Sequence, residues 1–237
     1  MNRYDEITAL RQELKRPRTF RHHNIQLRMV LWHLTIYSSV GFKRLMDIIL
    51  SICAIIIGSP IFLITAFLIK ITSPGPIIFS QTRVGKFGRH FKFYKFRSMY
   101  IDAEARKAEL MGQNESRDGV IFKMKHDPRI TPVGRFIRKF SIDELPQLFN
   151  VLLGDMSLVG PRPPVPSEVK SYTLEERKRL NITPGITCLW QISGRSELPF
   201  SRQIALDKEY IASQSIWKDF LILLKTIPAI LTGKGAW

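Results

Sequence analysis

The run IILSICAIIIGSPIFLITAFLI, residues 48–69, contains 22 residues and no charged side chain. As a straight helix it would be about 33 Å long, which is enough to cross a hydrocarbon core of about 30 Å. A helix in the core of a soluble domain rarely stays uncharged on all sides over six turns. The run therefore predicts a membrane-associated protein and disfavours a buried helix of a soluble domain.

Positively charged residues flank this run on both sides, with Lys43 and Arg44 before it and Lys70 after it. A membrane-spanning helix usually has a basic bias on the cytoplasmic side only. Ser59 and Pro60 lie in the middle, where a proline removes one helical hydrogen bond and favours a kink. Each half, about 18 Å long, is too short to cross alone. We therefore predict a re-entrant helix–break–helix hairpin that enters one leaflet and returns, with its break at Ser59 and Pro60.

This segment divides the chain into three predicted parts. Residues 1–41 form an N-terminal extension, residues 42–72 the re-entrant membrane hairpin, and residues 73–237 a cytoplasm-facing domain. The extension contains an amphipathic segment, Ile25–Val40, which either lies in the membrane interface or packs on the body. Residues 73–76, Ser-Pro-Gly-Pro, end the membrane segment because they break helices.

The downstream domain combines short strands with helices. Two runs rich in aromatic and β-branched residues, Ile77–Val84 and His90–Phe96, flank a turn and predict a β-hairpin. Residues 102–111 predict a polar surface helix, and a basic helix follows the Pro128/Pro132 turn. Residues 216–231 have apolar residues at helical spacing, which favours an interfacial or packed helix over a second span. We expect a mostly α fold with a small β-hairpin (α+β) in a single monotopic membrane domain.

Charge and composition restrict the partners. The chain has 36 Lys and Arg residues against 20 Asp and Glu residues, a formal net charge of +16. Nucleic acid, acidic lipid headgroups and phosphorylated substrates all suit such a charge. Hydrophobic residues make up 45% and charged residues 24%, which excludes a disordered chain and a bundle of many membrane spans. Two cysteines, Cys53 and Cys188, are too few for a disulfide framework, so a reducing, cytoplasm-facing body is expected.

The common catalytic signatures are missing from the sequence. It contains no GxxxxGK[ST] loop, no GxGxxG, no HExxH and no GxSxG. It also lacks an Asp-x-Asp pair, and its five histidines show no metal-ligand spacing. A zinc enzyme is therefore disfavoured.

Adjacent carboxylates in the stretch RFIRKFSIDELPQLFNVLLGDMSLVGPRPP, Asp143 and Glu144, are the remaining candidates for chemistry. Ser141 and Glu144 have the spacing of a helix-capping box, and alternatively Asp143 itself is the cap. In both cases the carboxylates lie at a helix N-terminus, where the helix dipole favours negative charge. They are then either caps alone or part of an anion-handling site with Arg138 and Arg162, whose guanidinium groups match phosphate oxygens. The residues by themselves leave both interpretations open.

From Phe42 onward the chain resembles the monotopic polyprenyl-phosphate phosphoglycosyl transferases, a bacterial sugar transferase family whose members initiate exopolysaccharide, capsule and O-antigen synthesis. The matching stretches, in the expected order, are FKRLMDIIL, the Ser59-Pro60 break, PIIFSQTRVG, FKFYKFRSM, DPRITPVGRFIRK, SIDELPQLFNVLLGDMSLVGPRPP, TPGIT and WQISGR. The SIDELPQL…GDMSLVGPRP block is highly specific. Larger members carry extra N-terminal spans, and this chain resembles the minimal catalytic form.

The resemblance implies a reaction. Such enzymes move a sugar 1-phosphate from a UDP-sugar to undecaprenyl phosphate and release UMP, and residues 233–237 resemble the ending of glucose and galactose types. Asp143 corresponds to the nucleophile that forms a covalent phosphosugar intermediate, and Glu144 to an assisting acid or base. Mg²⁺ would neutralise the diphosphate, with Asp143 as a metal ligand. A carboxylate nucleophile divides one difficult displacement into two easier ones.

The resemblance also implies binding residues and a location. Arg162 corresponds to a phosphate-contacting arginine, Arg138 to a basic position just before the carboxylates, and Arg195 to an element of substrate binding. The Ser59-Pro60 break corresponds to the re-entrant helix of the family. A bacterial inner membrane protein with its catalytic domain in the cytoplasm is implied, with anionic lipids as partners and a homo-oligomer as a possible assembly.

One stretch departs from the family pattern. Cys188 and Leu189 stand where many members have Gly-Trp or Gly-Met, and Thr183 stands where a basic residue is frequent. The alternative function is a non-catalytic scaffold or a nucleic-acid-binding protein, basic and attached to the membrane. A third hypothesis is a degenerate member of the family that keeps the fold but has no activity. The ordered motifs and the intact carboxylate pair favour the enzyme, so no nucleic-acid partner is expected.

Overall fold

The computed structural model describes residues 18–110, 112, 114–115, 124, 126–233 and 235, with side chains from residue 38 onward except at residues 107–108. These residues are mostly helical, with one antiparallel and one parallel pair of strands, which agrees with the expected α+β class. The helices are α1 (Arg18–Thr72), α2 (Ala103–Leu110), α3 (Pro132–Lys139), α4 (Gln147–Leu153), α5 (Pro166–Ser171), α6 (Leu174–Arg177), α7 (Leu189–Ser193), α8 (Phe200–Ala212) and α9 (Ile216–Thr232). The strands are β1 (Ile78–Val84), β2 (His90–Phe96), β3 (Ser157–Val159) and β4 (Gly185–Thr187).

The chain divides into two compact units, residues 1–45 and residues 46–237. The second unit contains all the strands named above and the cavity described below. The predicted amphipathic segment, Ile25–Val40, falls inside α1, and its side chains up to residue 37 lie outside the described residues. The predicted boundaries of the membrane hairpin, after residue 41 and after residue 72, stay predictions.

Helix α1 continues through Ser59 and Pro60 without interruption. A proline at position 60 leaves the carbonyl of Ile56 without its usual N–H donor, and the Ser59 hydroxyl donates to that carbonyl at 2.8 Å. The Ser59 hydroxyl thus replaces the hydrogen bond that the proline removes, and the predicted break at Ser59 and Pro60 stays a prediction. The stretch Ser38–Thr72 is long and apolar enough to cross a membrane. The re-entrant path is not confirmed by these observations.

One face of α1 is buried on both sides of Pro60. Asp47, Ser51, Thr65 and Ile69 are buried, and Phe62 packs against the core at the same helical spacing. The other side of the helix is exposed although it is apolar, and it includes Ile56, Ile57, Leu63, Ile64 and Phe67. The helix therefore presents one face to the protein and one to its surroundings.

Strands β1 and β2 form the predicted hairpin, which is antiparallel and pairs Val84 with His90 next to the turn. Side chains alternate between the two faces of a strand, so Phe91, Phe93 and Lys95 share one face of β2. Phe91 and Phe93 are buried in the main core cluster. The strand thus carries the Lys95 ammonium towards the inside of the domain.

Strands β3 and β4 form a short parallel pair that sequence analysis missed. Ser157 pairs with Gly185, and Val159 with Thr187. Strands of three residues are too short to show an alternating pattern, and parallel pairing joins segments far apart in the chain. The two strands approach so closely that a Cβ atom built on Gly185 would lie 2.0 Å from the Gly160 nitrogen. Only glycine fits at this contact.

The predicted polar and basic helices are confirmed as α2 and α3. Thr131 caps α3, since its Oγ1 accepts a hydrogen bond from the Gly134 N–H at 2.8 Å, and Pro132 occupies the first turn. Arg138 and Lys139 lie in the last turn, where the helix dipole favours positive charge. This helix leads directly into the turn that carries the adjacent carboxylates.

Helix α9 has the amphipathic character predicted for residues 216–231. Asp219 and Ile222 are buried, and the Tyr210 hydroxyl donates to Asp219 Oδ1 at 2.7 Å, which ties α8 to α9. Apolar side chains on the rest of the helix are exposed, including Trp217, Phe220, Leu224, Ile227 and Leu231. The helix is therefore packed on one face and apolar towards its surroundings on the other.

Candidate active site

Asp143 and Glu144 lie on a short 3-10 turn, Ile142–Glu144, between α3 and α4. Ser141 precedes this turn in the left-handed conformation, with φ 53°, which is unfavourable for a residue other than glycine. Neither Ser141 nor Pro146, the residue before α4, makes a side-chain cap. The predicted capping box is therefore wrong, because an N-cap residue needs an extended backbone. Asp143 also lies too far before α4 to cap that helix.

A lysine from β2 joins the two carboxylates. The Lys95 ammonium nitrogen lies 2.6 Å from Glu144 Oε1 and 3.6 Å from Asp143 Oδ2. The Asp143 side chain is 8% exposed and the Glu144 side chain 34% exposed. Sequence analysis did not select Lys95, although the alternation in HFKFYKF places it on the same face as the buried Phe93. The strand register is the signal that identifies it.

The two carboxylates differ in their affinity for a proton. Burial raises the pKa of Asp143 above its ordinary value, Lys95 opposes this effect, and the adjacent Glu144 adds to it. Burial acts on Glu144 in the same direction, but Lys95, with help from Arg162 and Arg195, holds the pKa of Glu144 below its ordinary value. Neighbouring carboxyl groups titrate together, and within this pair the surroundings favour the protonated form of Asp143 and the ionised form of Glu144. Glu144 stays ionised in its ion pair with Lys95.

One cavity of about 340 Å³ is lined by all five residues that sequence analysis selected for chemistry and by Lys95. The Arg162 side chain is one third exposed, and its Nη1 lies 3.9 Å from Glu168 Oε1. Arg138 lowers the pKa of Asp143, so this guanidinium group also acts on the carboxylate pair. Cationic groups outnumber the carboxylates among these six residues, which are Lys95, Arg138, Asp143, Glu144, Arg162 and Arg195. Such a cavity suits a ligand with several negative charges.

Arg195 has a strained backbone and an unsatisfied side chain. Its φ is 51°, in the left-handed region, directly after Gly194 with φ 149°. Its Nη1 is buried and has no hydrogen-bond partner in the part of the chain that the structure describes. Burial lowers the pKa of Arg195, and the Glu144 carboxylate opposes that shift. Backbone strain and an unpaired buried donor on one residue are typical of a binding site.

Two buried arginines hold the loop that carries Arg162. Arg83 on β1 donates from Nη1 to the Pro163 carbonyl at 3.0 Å, and burial together with Arg162 lowers its pKa to about 9. Arg179 donates from Nη2 to the Arg162 carbonyl at 3.2 Å and lies 2.5 Å from the buried Asp207 carboxylate. Sequence analysis missed these residues because an isolated basic residue gives no local sign of burial.

The departure from the family pattern at Cys188 and Leu189 lies behind the cavity. Cys188 is fully buried, burial raises the pKa of its thiol, and Leu189 packs against the main core. The next two residues, Trp190 and Gln191, line the cavity instead. Thr183 lines a separate, smaller cavity near the hairpin turn. The residues Cys188 and Leu189 therefore alter the core packing behind Trp190 and Gln191, and they do not line the cavity themselves.

The carboxylates are too few for a metal site made by protein alone. Among the described residues, no group of three or more His, Cys, Asp or Glu side chains is placed to hold an ion. Mg²⁺ usually binds through one or two carboxylates together with substrate phosphates and water. Asp143 and Glu144 line the cavity together and therefore fit an Mg²⁺ ion that arrives with a phosphorylated ligand.

Comparison with known proteins finds one matching family and several relatives. The family described as Bacterial sugar transferase matches residues 38–233. The chain is 49% identical over 203 residues to the Galactosyl transferase CpsE of Streptococcus agalactiae serotype III, covering 84% of this chain and 44% of that protein. It is 42% identical over 222 residues to the Undecaprenyl-phosphate galactose phosphotransferase of Salmonella typhimurium, covering 91% of this chain and 46% of that protein. It is 38% identical over 198 residues to the Exopolysaccharide production protein ExoY of Sinorhizobium fredii, covering 82% of this chain and 88% of that protein. The chain thus spans less than half the length of the first two relatives.

Proposed function

Since the chain belongs to the bacterial sugar transferase family, we propose that it is a phosphoglycosyl transferase that moves a sugar 1-phosphate from a UDP-sugar to undecaprenyl phosphate and releases UMP. The observation that carries this proposal is the single cavity in which Asp143 and Glu144 meet Lys95 and three arginines. The name of the Salmonella relative includes the same lipid acceptor. A diphosphate donor and a phosphate acceptor both match the excess of cationic groups.

Asp143 is the proposed nucleophile of the first step. Its ionised carboxylate attacks the phosphorus that bears the sugar, a new P–O bond forms, and the bond to UMP breaks with its electron pair leaving on UMP. The product is an aspartyl phosphosugar. Burial raises the pKa of Asp143, and a more basic carboxylate is a stronger nucleophile once it is ionised.

In the second step, an oxygen of undecaprenyl phosphate attacks the same phosphorus. The Asp143 carboxylate leaves, and a lipid-linked sugar diphosphate forms. The ion pair with Lys95 keeps Glu144 ionised, so Glu144 suits the role of proton acceptor for the incoming phosphate. Splitting the displacement in this way lets one cavity process donor and acceptor in turn.

The cationic groups stabilise the charge that develops at phosphorus. Arg138, Arg162 and Arg195 are the proposed ligands of the phosphate oxygens, because guanidinium forks match their geometry. Mg²⁺ held at Asp143 would neutralise part of the diphosphate charge. Lys95 screens the repulsion between the carboxylates and the incoming anion.

For the donor we propose UDP-galactose or UDP-glucose. The CpsE and Salmonella relatives are both named for galactose, and the chain matches them over most of its length. The ExoY relative is named for exopolysaccharide production. The ExoY name supports a role in exopolysaccharide synthesis, and we propose that the transfer initiates the synthesis of an exopolysaccharide, a capsule or an O-antigen.

For the membrane, we propose that α1 is re-entrant and that the catalytic body lies at the cytoplasmic face of the bacterial inner membrane. Residues on both sides of Pro60 contact the same folded unit: Asp47 accepts a hydrogen bond from the Leu158 N–H at 3.1 Å, and Ile69 packs with Phe96. A helix that crossed the bilayer would carry one half away from a body on one side. The continuous buried face therefore supports a monotopic arrangement.

Two labelling sites test this topology. Single cysteines placed before Lys43 and after Lys70, in a variant without Cys53 and Cys188, are expected to react with an impermeant reagent from the same side of the membrane. Reaction from opposite sides would show that α1 crosses.

The activity is tested by UMP release. The protein is supplied with Mg²⁺, undecaprenyl phosphate and a panel of UDP-sugars, beside Asp143→Asn and the control Asp102→Asn, whose carboxylate is 45% exposed. We expect release with galactose or glucose donors, a loss of about 10⁴-fold or more in Asp143→Asn, and normal release in the control. Activity that survives in Asp143→Asn would disprove the nucleophile.

A role as a scaffold or nucleic-acid binder does not account for the buried Asp143 carboxylate beside Glu144 and Lys95. Much of the positive charge near a bilayer is explained by attraction to anionic lipids, at about 1 kcal/mol per basic residue. We therefore expect lipids and not nucleic acid as the polyanionic partner.

A further inference from the structure

A second wall of the cavity is polar but uncharged. Gln147, Trp190 and Gln191 line the cavity beside the charged residues. Each has one buried polar atom without a hydrogen-bond partner among the described residues: Gln147 Nε2, Trp190 Nε1 and Gln191 Oε1. Buried polar atoms in native proteins are nearly always paired. Three unpaired atoms in the lining of one cavity therefore point to a ligand that pairs with them.

The chemistry of these atoms is fixed by their surroundings. Gln191 donates from Nε2 to the Ile186 carbonyl at 3.0 Å, which leaves Oε1 as its free acceptor. The Trp190 indole has only an N–H to offer, and Gln147 offers an amide N–H. The wall thus combines donors with an acceptor. A sugar hydroxyl, which donates and accepts at once, matches both.

The position of Gln147 relates this wall to the reacting atoms. Gln147 lies four residues after Asp143 and opens α4 directly behind the turn that carries the carboxylates. Only three residues separate Gln147 from Asp143, and both side chains line the same cavity. In a UDP-sugar, the sugar is bonded to the phosphorus that Asp143 attacks, whereas the uracil is separated from it by the ribose and the other phosphate. The group nearest this wall is therefore the sugar.

We infer that Gln147, Trp190 and Gln191 bind hydroxyl groups of the transferred sugar and set which sugar is accepted. This inference rests on the proposed function. Helix α7, which carries Trp190 and Gln191, ends at Gly194, and Arg195 follows it. One short segment thus presents the sugar-binding wall and a phosphate-binding arginine in succession.

Binding of nucleotides without turnover tests the inference. Isothermal titration uses the full chain in detergent with Asp143→Asn, so that no transfer occurs, and compares UDP-galactose, UDP-glucose and UDP. The added variants are Gln147→Met and Gln191→Met, which nearly keep side-chain size, and Trp190→Phe, which keeps an aromatic ring but is smaller. Each removes the hydrogen-bonding atom. We expect one UDP-sugar to bind more tightly than UDP, and each variant to lose about tenfold of that advantage. The Kd for UDP should not change, and Gln81→Met on β1, away from the cavity, should keep the full difference.

Two results would overturn the inference. An equal loss of UDP and UDP-sugar affinity would assign these residues to the nucleotide, and an unchanged ratio in all three variants would exclude contact with the sugar. UMP release by the unmutated protein separates this inference from the proposed function. If no UMP is released but binding still depends on the sugar, the transferase function is rejected and the sugar-binding inference stands. If no uridine nucleotide binds at all, the proposed function and the sugar-binding inference are both rejected.

Discussion

The roles of the two carboxylates follow from their distances to one ammonium group. Lys95 Nζ is 2.6 Å from Glu144 but 3.6 Å from the more buried Asp143. The closer carboxylate is held ionised, while the buried one keeps a raised pKa. This difference in environment supports the proposed division of the two adjacent acids into a proton acceptor and a basic nucleophile, a common arrangement in active sites.

Replacing Lys95 with methionine tests this separation. The variant keeps the side-chain length but removes the charge that lowers the pKa of both carboxylates, so both hold their protons to higher pH. We expect kcat/KM for the UDP-sugar to fall about 100-fold at pH 7 and the acid limb of the pH profile to move upward. Lys92→Met, on the exposed face of the same strand, is the matched control. A profile with an unmoved acid limb would contradict the assigned role.

The raised pKa of Asp143 also predicts a loss of stability at high pH. The folded state holds this proton more tightly than the unfolded state, so the free energy of unfolding falls as pH rises through the folded-state pKa. Asp143→Asn does not ionise, and we expect it to be inactive but about 2–4 °C more stable than the wild type at pH 8. The difference should vanish at acid pH, where Asp143 is protonated in both states. Thermal unfolding at several pH values checks this, and lower stability of the variant at pH 8 would refute it.

A residue of the site could be predicted when the sequence immediately around it indicates its role. Asp143 and Glu144 are adjacent in the sequence, Arg138 and Arg162 lie in the same stretch, and the family resemblance added Arg195. The place of Lys95 in the site depends on the register of its strand, and the burial of Arg83 depends on tertiary packing. The residue type and charge of these two positions do not indicate either property. The capping role expected for Ser141 failed because its backbone is left-handed.

The same limit holds for secondary-structure elements. The hairpin was predictable because β1 and β2 are each seven residues long and rich in aromatic and β-branched residues. Strands β3 and β4 are each three residues long, and they exist as strands because they pair with each other. Their own sequences are too short to predict a strand. In helix α1, Ser59 supplies a local hydrogen bond to the Ile56 carbonyl beside Pro60, a compensation that propensity alone does not predict.

Gly185→Ala tests the importance of the β3–β4 contact. The new methyl group would lie 2.0 Å from the Gly160 backbone nitrogen, and backbone atoms on both sides leave little freedom to move. We expect a loss of about 3 kcal/mol or more in unfolding free energy and weaker binding of phosphorylated ligands, since the Arg162 loop follows β3. Gly112→Ala, with nothing within 4 Å of its added Cβ, should be nearly neutral. Chemical denaturation of both variants measures the difference, and equal stabilities would show that the strands separate without cost.

At the scale of the whole second unit, two helices present apolar surface outward. The exposed face of α1 near Pro60 and the exposed face of α9 are both rich in large apolar side chains. Exposed apolar surface of this extent marks contact with a membrane or a partner. The net charge of +16 adds attraction to anionic headgroups. We therefore expect apolar insertion and charge to act together in membrane binding.

Trp217→Ser on α9 distinguishes the apolar contribution from the electrostatic one. Trp217 stacks on Phe220, with ring centroids 5.5 Å apart, and is 66% exposed. We expect several-fold weaker binding to vesicles of anionic lipid at high salt, where charge is screened and the burial of apolar area dominates. Leu174→Ser, at an even more exposed position on α6, is the control in vesicle sedimentation. An equal effect of both substitutions would mean that α9 does not face the bilayer.

The walls of the cavity come from segments that are far apart along the chain: Lys95 from a strand, Asp143 from a turn, and Trp190 from a short helix. During translation the proposed nucleophile leaves the ribosome well before the residues proposed to hold the sugar. A nascent chain that ends before Trp190 would therefore carry the carboxylate without the rest of the proposed donor site. Under the proposed function, such an incomplete chain would not carry out the transfer.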